Sequence, residues 1–129
     1  MRHLGIDYGR GKVGLALSDE AGTMGFPKTV LQNDATLMKQ VATLVKEEGV
    51  GAVVIGDASV GGRAGAVPEE ARAFGARLAK ETGIPVFYEM EAFSTQEARR
   101  APDGTRGSGA VDAAAAALIL TSYLSRPHD

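Results

Sequence analysis

Three carboxylates stand where a charge breaks the local pattern: Asp7 closes the apolar run that begins at His3, Glu91 follows the apolar run 84–88, and Asp112 opens the stretch 113–120. On a terminal helix, Asp112 shares a face with Ala116, Ile119 and Tyr123 by three-and-four spacing, so its carboxylate points along the packed face. An unpaired carboxylate there is costly. A divalent cation removes the repulsion among converging acids, and hard oxygen ligands suit Mg²⁺ or Mn²⁺. Two such ions could flank a phosphodiester, one activating water and the other stabilising the leaving oxygen. Asp57, just after a run suited to a buried strand, is a candidate fourth acid.

Each acid also admits a plainer role. Asp7 beside Tyr8 and Gly9 could form a turn, Asp112 could complement a helix dipole, Glu91 could be a solvated charge at a strand end, and Asp57 could belong to a loop entering a helix. Arg10 and Lys12 in the turn after Asp7, with Arg99, Arg100 and Arg106 further on, could track a phosphate backbone or simply keep the surface soluble. Gly61, Gly62, Arg63 and Gly65 could offer amides and a guanidinium to phosphate, but the segment lacks the lysine and hydroxyl spacing of a nucleotide-binding loop. Ser18, His3 and His128 form no nucleophile–base pattern, which argues against serine hydrolysis.

The elements that must position these groups follow from periodicity. Residues 3–7 and 13–19, joined across Gly9–Gly11, read as a β-hairpin, and 24–31 adds a third strand whose Pro27 belongs at an edge. Asn33 or Asp34 can cap a helix carrying Leu37, Val41, Leu44 and Val45, with Lys46, Glu47 and Glu48 in water and Gly49 as its stop. A strand at 52–56 leads into a glycine-rich loop over 57–67. A helix follows, with Pro68 at its first turn, Ala71, Phe74 and Leu78 buried, and Gly83 at its end. A strand at 84–88, a short helix at 94–100, a loop at 102–109 and a long helix at 110–124 complete the order βββαβαβαα. Helix-linked strands pair in parallel by right-handed crossovers while the hairpin is antiparallel, so the expectation is α/β with a mixed sheet of about five strands. The first strand is central, and chemistry gathers at the carboxyl ends of the parallel strands.

Composition sets the outer limits. The 129 residues, 44% apolar and 23% charged, suit one globular domain spanning 1–129 and argue against disorder. Without cysteine there is no thiolate metal site or cysteine nucleophile, and the opening residues cannot form a signal peptide. These features suit the cytoplasm. A net charge of −2 means that nucleic acid must be held by local patches, and the absence of tryptophan leaves no obvious stacking platform.

The stretch Gly5-Ile6-Asp7-Tyr8-Gly9, continuing through Val13-Gly14-Leu15-Ala16-Leu17-Ser18-Asp19, resembles the opening motif of the YqgF/RuvX family of RNase H-like nucleases. Val53-Val54-Ile55-Gly56 is similar to its central strand, and residues 111–120 with Tyr123-Leu124 to its acidic C-terminal helix. The resemblance implies an RNase H-like sheet of order 3-2-1-4-5 and a Mg²⁺- or Mn²⁺-dependent nuclease. Its substrate would be the ends of precursor small-subunit ribosomal RNA or, alternatively, Holliday junctions. By motif position, Asp7, Glu91 and Asp112 correspond to the catalytic and metal-binding triad. Two departures stand out: the family's Asp-Glu-Arg-x-Thr-Thr is here Met90-Glu91-Ala92-Phe93-Ser94-Thr95, and the usual Leu-Pro after the central glycine is Asp57-Ala58.

A binding module that keeps the acids without turnover is the non-enzymatic alternative, made plausible by the altered surroundings of Glu91. Actin-like ATPases open on a similar Asp-x-Gly hairpin but enclose nucleotide between two domains, for which this chain is too short. A ribosomal particle is a conceivable partner and no membrane is expected. A junction substrate suits a homodimer, whereas RNA-end trimming needs only a monomer.

Overall fold

Alternation of side chains along the first strand decides the layering. The structure, a computed structural model, describes residues 1–56, 69–89 and 109–125, with residues 109–112 described by backbone alone. Within it, β1 (Arg2–Tyr8), β2 (Lys12–Ser18), β3 (Gly25–Gln32), β4 (Val50–Gly56) and β5 (Val86–Glu89) form one sheet in the order β3-β2-β1-β4-β5. The hairpin pairs β1 with β2 and β3 joins antiparallel, whereas β1–β4 and β4–β5 are parallel, as the crossover rules require.

Leu4 and Ile6 point to one face with Val13, Leu15, Val53 and Ile55. There they meet Leu37, Val41 and Val45 of α1 (Leu37–Glu47) and Ala71, Phe74 and Leu78 of α2 (Glu69–Thr82). The other face is covered by α3 (Gly109–Leu124), whose Ala115, Ala116, Ala117, Ile119 and Leu120 pack on Ala16 and Val54. Small residues bring α3 close. A Cβ added at Gly5 would stand 2.8 Å from Leu120 Cβ, one at Gly25 2.9 Å from the same atom, and one at Gly56 2.8 Å from Ile119 Cγ2.

Several expectations shift in detail. β5 begins at Val86 and not at 84, because Pro85 has no N–H to give the ladder and contributes only its carbonyl, 3.0 Å from Val53 N. It runs on to Glu89, which pairs with Gly56. The N-cap of α1 is Thr36, not Asn33 or Asp34. Asp34 instead accepts hydrogen bonds from Thr36 N at 2.9 Å and Thr36 Oγ1 at 2.6 Å, which hold its carboxyl below the ordinary range. Glu48 does not simply face water, since Arg2 Nη1 reaches its Oε1 at 3.2 Å. Gly109, expected in a loop, is the first residue of α3.

Pro27 does sit on an edge strand, in a stretch where the register against β2 slips so that Lys28 has no partner. The turn between β2 and β3 is organised by Asp19, which accepts from Thr23 Oγ1 (2.6 Å), Thr23 N (2.8 Å) and Met24 N (3.1 Å). Those bonds, led by the Thr23 hydroxyl, lower its pKa to about 2. The expected loop over 57–67, Pro68, the short helix at 94–100 and the loop at 102–108 lie outside the described residues. Among the described residues, no helix is long and apolar enough to cross a membrane.

Candidate active site

Asp7 is a strand residue and not a turn former. It pairs with Gly14 of β2 on one side and Gly56 of β4 on the other, at the carboxyl end of the central strand, and it is only 4% exposed. Two residues earlier, the Cβ direction of Gly5 leads to Leu120 and Ala116, so alternation turns the Asp7 carboxylate to the α3 face. Both lateral partners are glycines, so neither contributes a side chain beside the carboxylate. The oxygens of such a carboxylate are hard ligands of the kind that suit a divalent cation.

The helix opposite runs antiparallel to β1. Tyr123 lies by His3, their ring centroids 6.3 Å apart, while Leu120 and the Ala116 carbonyl lie by Gly5. Asp7 stands two strand residues beyond Gly5, about 6.6 Å up the sheet. Position 112 stands four helical residues before Ala116, about 6 Å in the same direction. Position 112 thus lies on the stripe formed by the buried Ala116 and Ile119 and the half-buried Tyr123, in the part of α3 that runs towards the end of the sheet where Asp7 stands.

The turn beside Asp7 is braced from an unexpected quarter. Asn33 Nδ2 donates to Gly9 O at 2.6 Å and Asn33 N donates to Gly11 O at 2.9 Å. The residue read as a helix cap is thus a clamp on the hairpin, because an asparagine amide serves either purpose and only the sheet order brings β3's end to this turn. The clamp fixes the loop that carries the exposed Arg10 and leads into the exposed Lys12, the first residue of β2.

A further acid was missed by sequence reasoning, which let the strand run out at Glu89. Glu89 is 2% exposed, lies level with Asp7 through Gly56, and its Oε2 accepts from Ser122 Oγ of α3 at 2.8 Å. Its alternation with Phe87, which stacks on Tyr123 at 5.7 Å, was the available signal. Glu91, Asp57, Arg63, Arg99, Arg100 and Arg106 lie outside the described residues, as does the side chain of Asp112. Among the described residues, no group of three acids or histidines forms a metal-binding cluster. A cleft of about 770 Å³ lies between α1 and α2, lined by Met38, Lys46, Arg77 and Ile84 among others, and includes none of the candidate acids.

Residues 1–126 match the family described as "RuvX: Holliday junction resolvase". A protein of Anaeromyxobacter sp. (strain Fw109-5) named "Putative pre-16S rRNA nuclease" is 40% identical over 99% of both chains. A protein of the same name from Oleidesulfovibrio alaskensis is 36% identical over 100% of this chain and 95% of its own. Among solved structures, Thermus thermophilus RuvC in complex with a Holliday junction substrate superposes with a TM-score of 0.57 at 16% identity, covering 97% of this chain and 96% of that one. The fowlpox virus Holliday junction resolvase gives 0.53 at 11% identity over 96% and 98%. The architecture is accordingly the RNase H-like fold of the RuvC-type resolvases, and by its match along nearly its whole length the chain belongs to the RuvX family.

Proposed function

We propose that this chain is a metal-dependent nuclease, one domain over residues 1–129, that hydrolyses phosphodiester bonds at the 5′ end of precursor 16S rRNA in the cytoplasm. The observation that carries the reading is the buried carboxylate of Asp7, held at the carboxyl end of the central strand and turned to the α3 face. Asp7 and Asp112 are the principal ligands for Mg²⁺ or Mn²⁺, Glu91 completes the set, and Asp57 is a fourth candidate. Bound there, a pair of divalent ions supplies an activated water and charge neutralisation at the leaving oxygen.

The chain's own contribution is position. The backbone of Asp7 is paired on both sides, so its Cα–Cβ bond keeps one direction, towards the α3 face. Arg10, on the loop clamped by Asn33, and Lys12, at the start of β2, bind phosphates flanking the scissile one, and Arg63, Arg99, Arg100 and Arg106 are further candidate phosphate contacts. Asp7 itself transfers no proton in this reading.

RNA is preferred to DNA junctions because the relatives at 36–40% identity carry the rRNA name, whereas the junction-bound neighbour shares 16% of its residues. Junction resolution, which the family description supports, is the second reading and would suit a homodimer where RNA trimming needs only a monomer. The test offers purified protein precursor rRNA and a four-way DNA junction, each with Mg²⁺, with Mn²⁺ and with chelator. Metal-dependent cleavage of the RNA that disappears in Asp7→Asn is the expected result. Equal cleavage by wild type and Asp7→Asn would remove the proposed centre, and chelator-resistant binding without cleavage would make the chain a binding module.

A further inference from the structure

The interface between α3 and the sheet packs Ala115, Ala116, Ala117, Ile119 and Leu120 against Ala16, Val54 and the glycines at 5, 25 and 56, and the dispersion that holds it together has no direction of its own. Two consecutive hydroxyls near the C-terminal end of the helix supply direction. Thr121 Oγ1 accepts from Gly25 N of β3 at 2.9 Å, and Ser122 Oγ donates to Glu89 Oε2 of β5 at 2.8 Å. β3 and β5 are the two opposite edges of the five-stranded sheet. Side chains one residue apart leave a helix about 100° from each other, which is how neighbours reach opposite flanks. Glu89 is nearly inaccessible, so its bond to Ser122 is shielded from competing water.

We infer that Thr121 and Ser122 are positioning residues that tie α3 to both edges of the sheet and thereby set Asp112 against Asp7. The inference rests on the metal-centred reading above. Position 112 lies nine residues from Thr121, about 13.5 Å along the same rigid helix, so any rotation or slide permitted at the anchor is carried to it. Metal–oxygen distances tolerate deviations of only about 0.2 Å. Thr121 reaches the sheet at Gly25 and Ser122 at Glu89, and both act on position 112 through the helix.

The test measures Mn²⁺ affinity by titration of the full chain, alongside thermal melting, for wild type, Thr121→Val, Ser122→Ala, the double variant and the conservative Thr121→Ser. The double variant is expected to bind Mn²⁺ about tenfold more weakly, at the lower end of what loss of supporting hydrogen bonds does to metal sites. Each single variant should fall between, and Thr121→Ser should return to wild-type affinity. Affinity in the double variant equal to wild type, whatever the melting temperature does, overturns the inference. So does an equal loss in Thr121→Ser, which keeps the hydroxyl. Should the double variant not fold, the two single variants are read by the same criteria. Wild type that binds no Mn²⁺ overturns the metal-centred reading itself and this inference with it, an outcome distinct from unchanged affinity in the variants.

Discussion

Replacing Gly5 by alanine probes the contact on which the site's depth depends. The new Cβ would lie 2.8 Å from Leu120 Cβ, 3.0 Å from the Ala116 carbonyl oxygen and 3.4 Å from Leu120 Cδ2. The first two are a backbone-fixed carbon and the backbone itself, so no side-chain rotation relieves them and α3 must move as a body. Overpacking of this kind costs about 1–3 kcal/mol. Removing a glycine from the unfolded chain returns about 0.4–1 kcal/mol. The net loss is therefore about 1–2 kcal/mol. With an unfolding entropy of about 2.1 cal/mol/K per residue, 129 residues give about 0.27 kcal/mol/K, and the melting temperature should fall by about 4–7 °C.

Circular dichroism melting and urea unfolding measure this, with Gly11→Ala as the control. A Cβ at Gly11 meets nothing within 4 Å and its φ is not positive, so that variant should melt at or slightly above wild type. Mn²⁺ affinity should drop in Gly5→Ala only, because the displaced helix carries Asp112 with it. A Gly5→Ala protein melting within a degree of wild type would refute the close approach of α3 to β1.

Three other outcomes are expected. Asn33→Ala loses the 2.6 Å bond to Gly9 O and should destabilise the fold by about 1 kcal/mol in urea unfolding. Its RNA affinity should weaken more than that of a variant at the distant Lys80, since Arg10 and Lys12 lose their support. The Asp19 pKa is depressed to about 2, so its bonds to Thr23 and Met24 stabilise the fold fully above the unfolded value near 4 and are lost as pH falls towards 2. A carbon-detected titration should find its midpoint near 2 in wild type and closer to 4 in Thr23→Val. Arg10→Ala and Lys12→Ala should each weaken RNA binding at low salt and shallow its salt dependence by about one counterion, read as the slope of log affinity against log salt.

Much of this architecture could be read directly because hydrophobic alternation is local. Leu4 and Ile6 against Gly5 and Asp7 declare a two-faced central strand, and Leu37, Val41 and Val45 declare a helix, without reference to anything distant. Asp7 was legible for the same reason, since a carboxylate ending an apolar run is a local anomaly. What escaped depends on partners far along the chain. Asn33 has the chemistry of both a cap and a clamp, and only the β3-β2-β1 order selects the second. Glu89 sits where a strand boundary was drawn too early, and its burial comes from a serine 33 positions later. Thr121 and Ser122 break no pattern, because a hydroxyl pair near a helix end is unremarkable until both sheet edges are seen beside it.

The edge formed by β3 has a bearing on how the protein behaves when concentrated. An open strand invites another chain to add on, and Phe26 there is 52% exposed. Pro27 has no amide hydrogen to offer an incoming strand, and the out-of-register Lys28 brings a cation to the same point, so a visiting backbone meets a gap and a charge where it needs a continuous ladder. Polymerisation through this border is thereby discouraged, although the sheet margin itself is left uncovered.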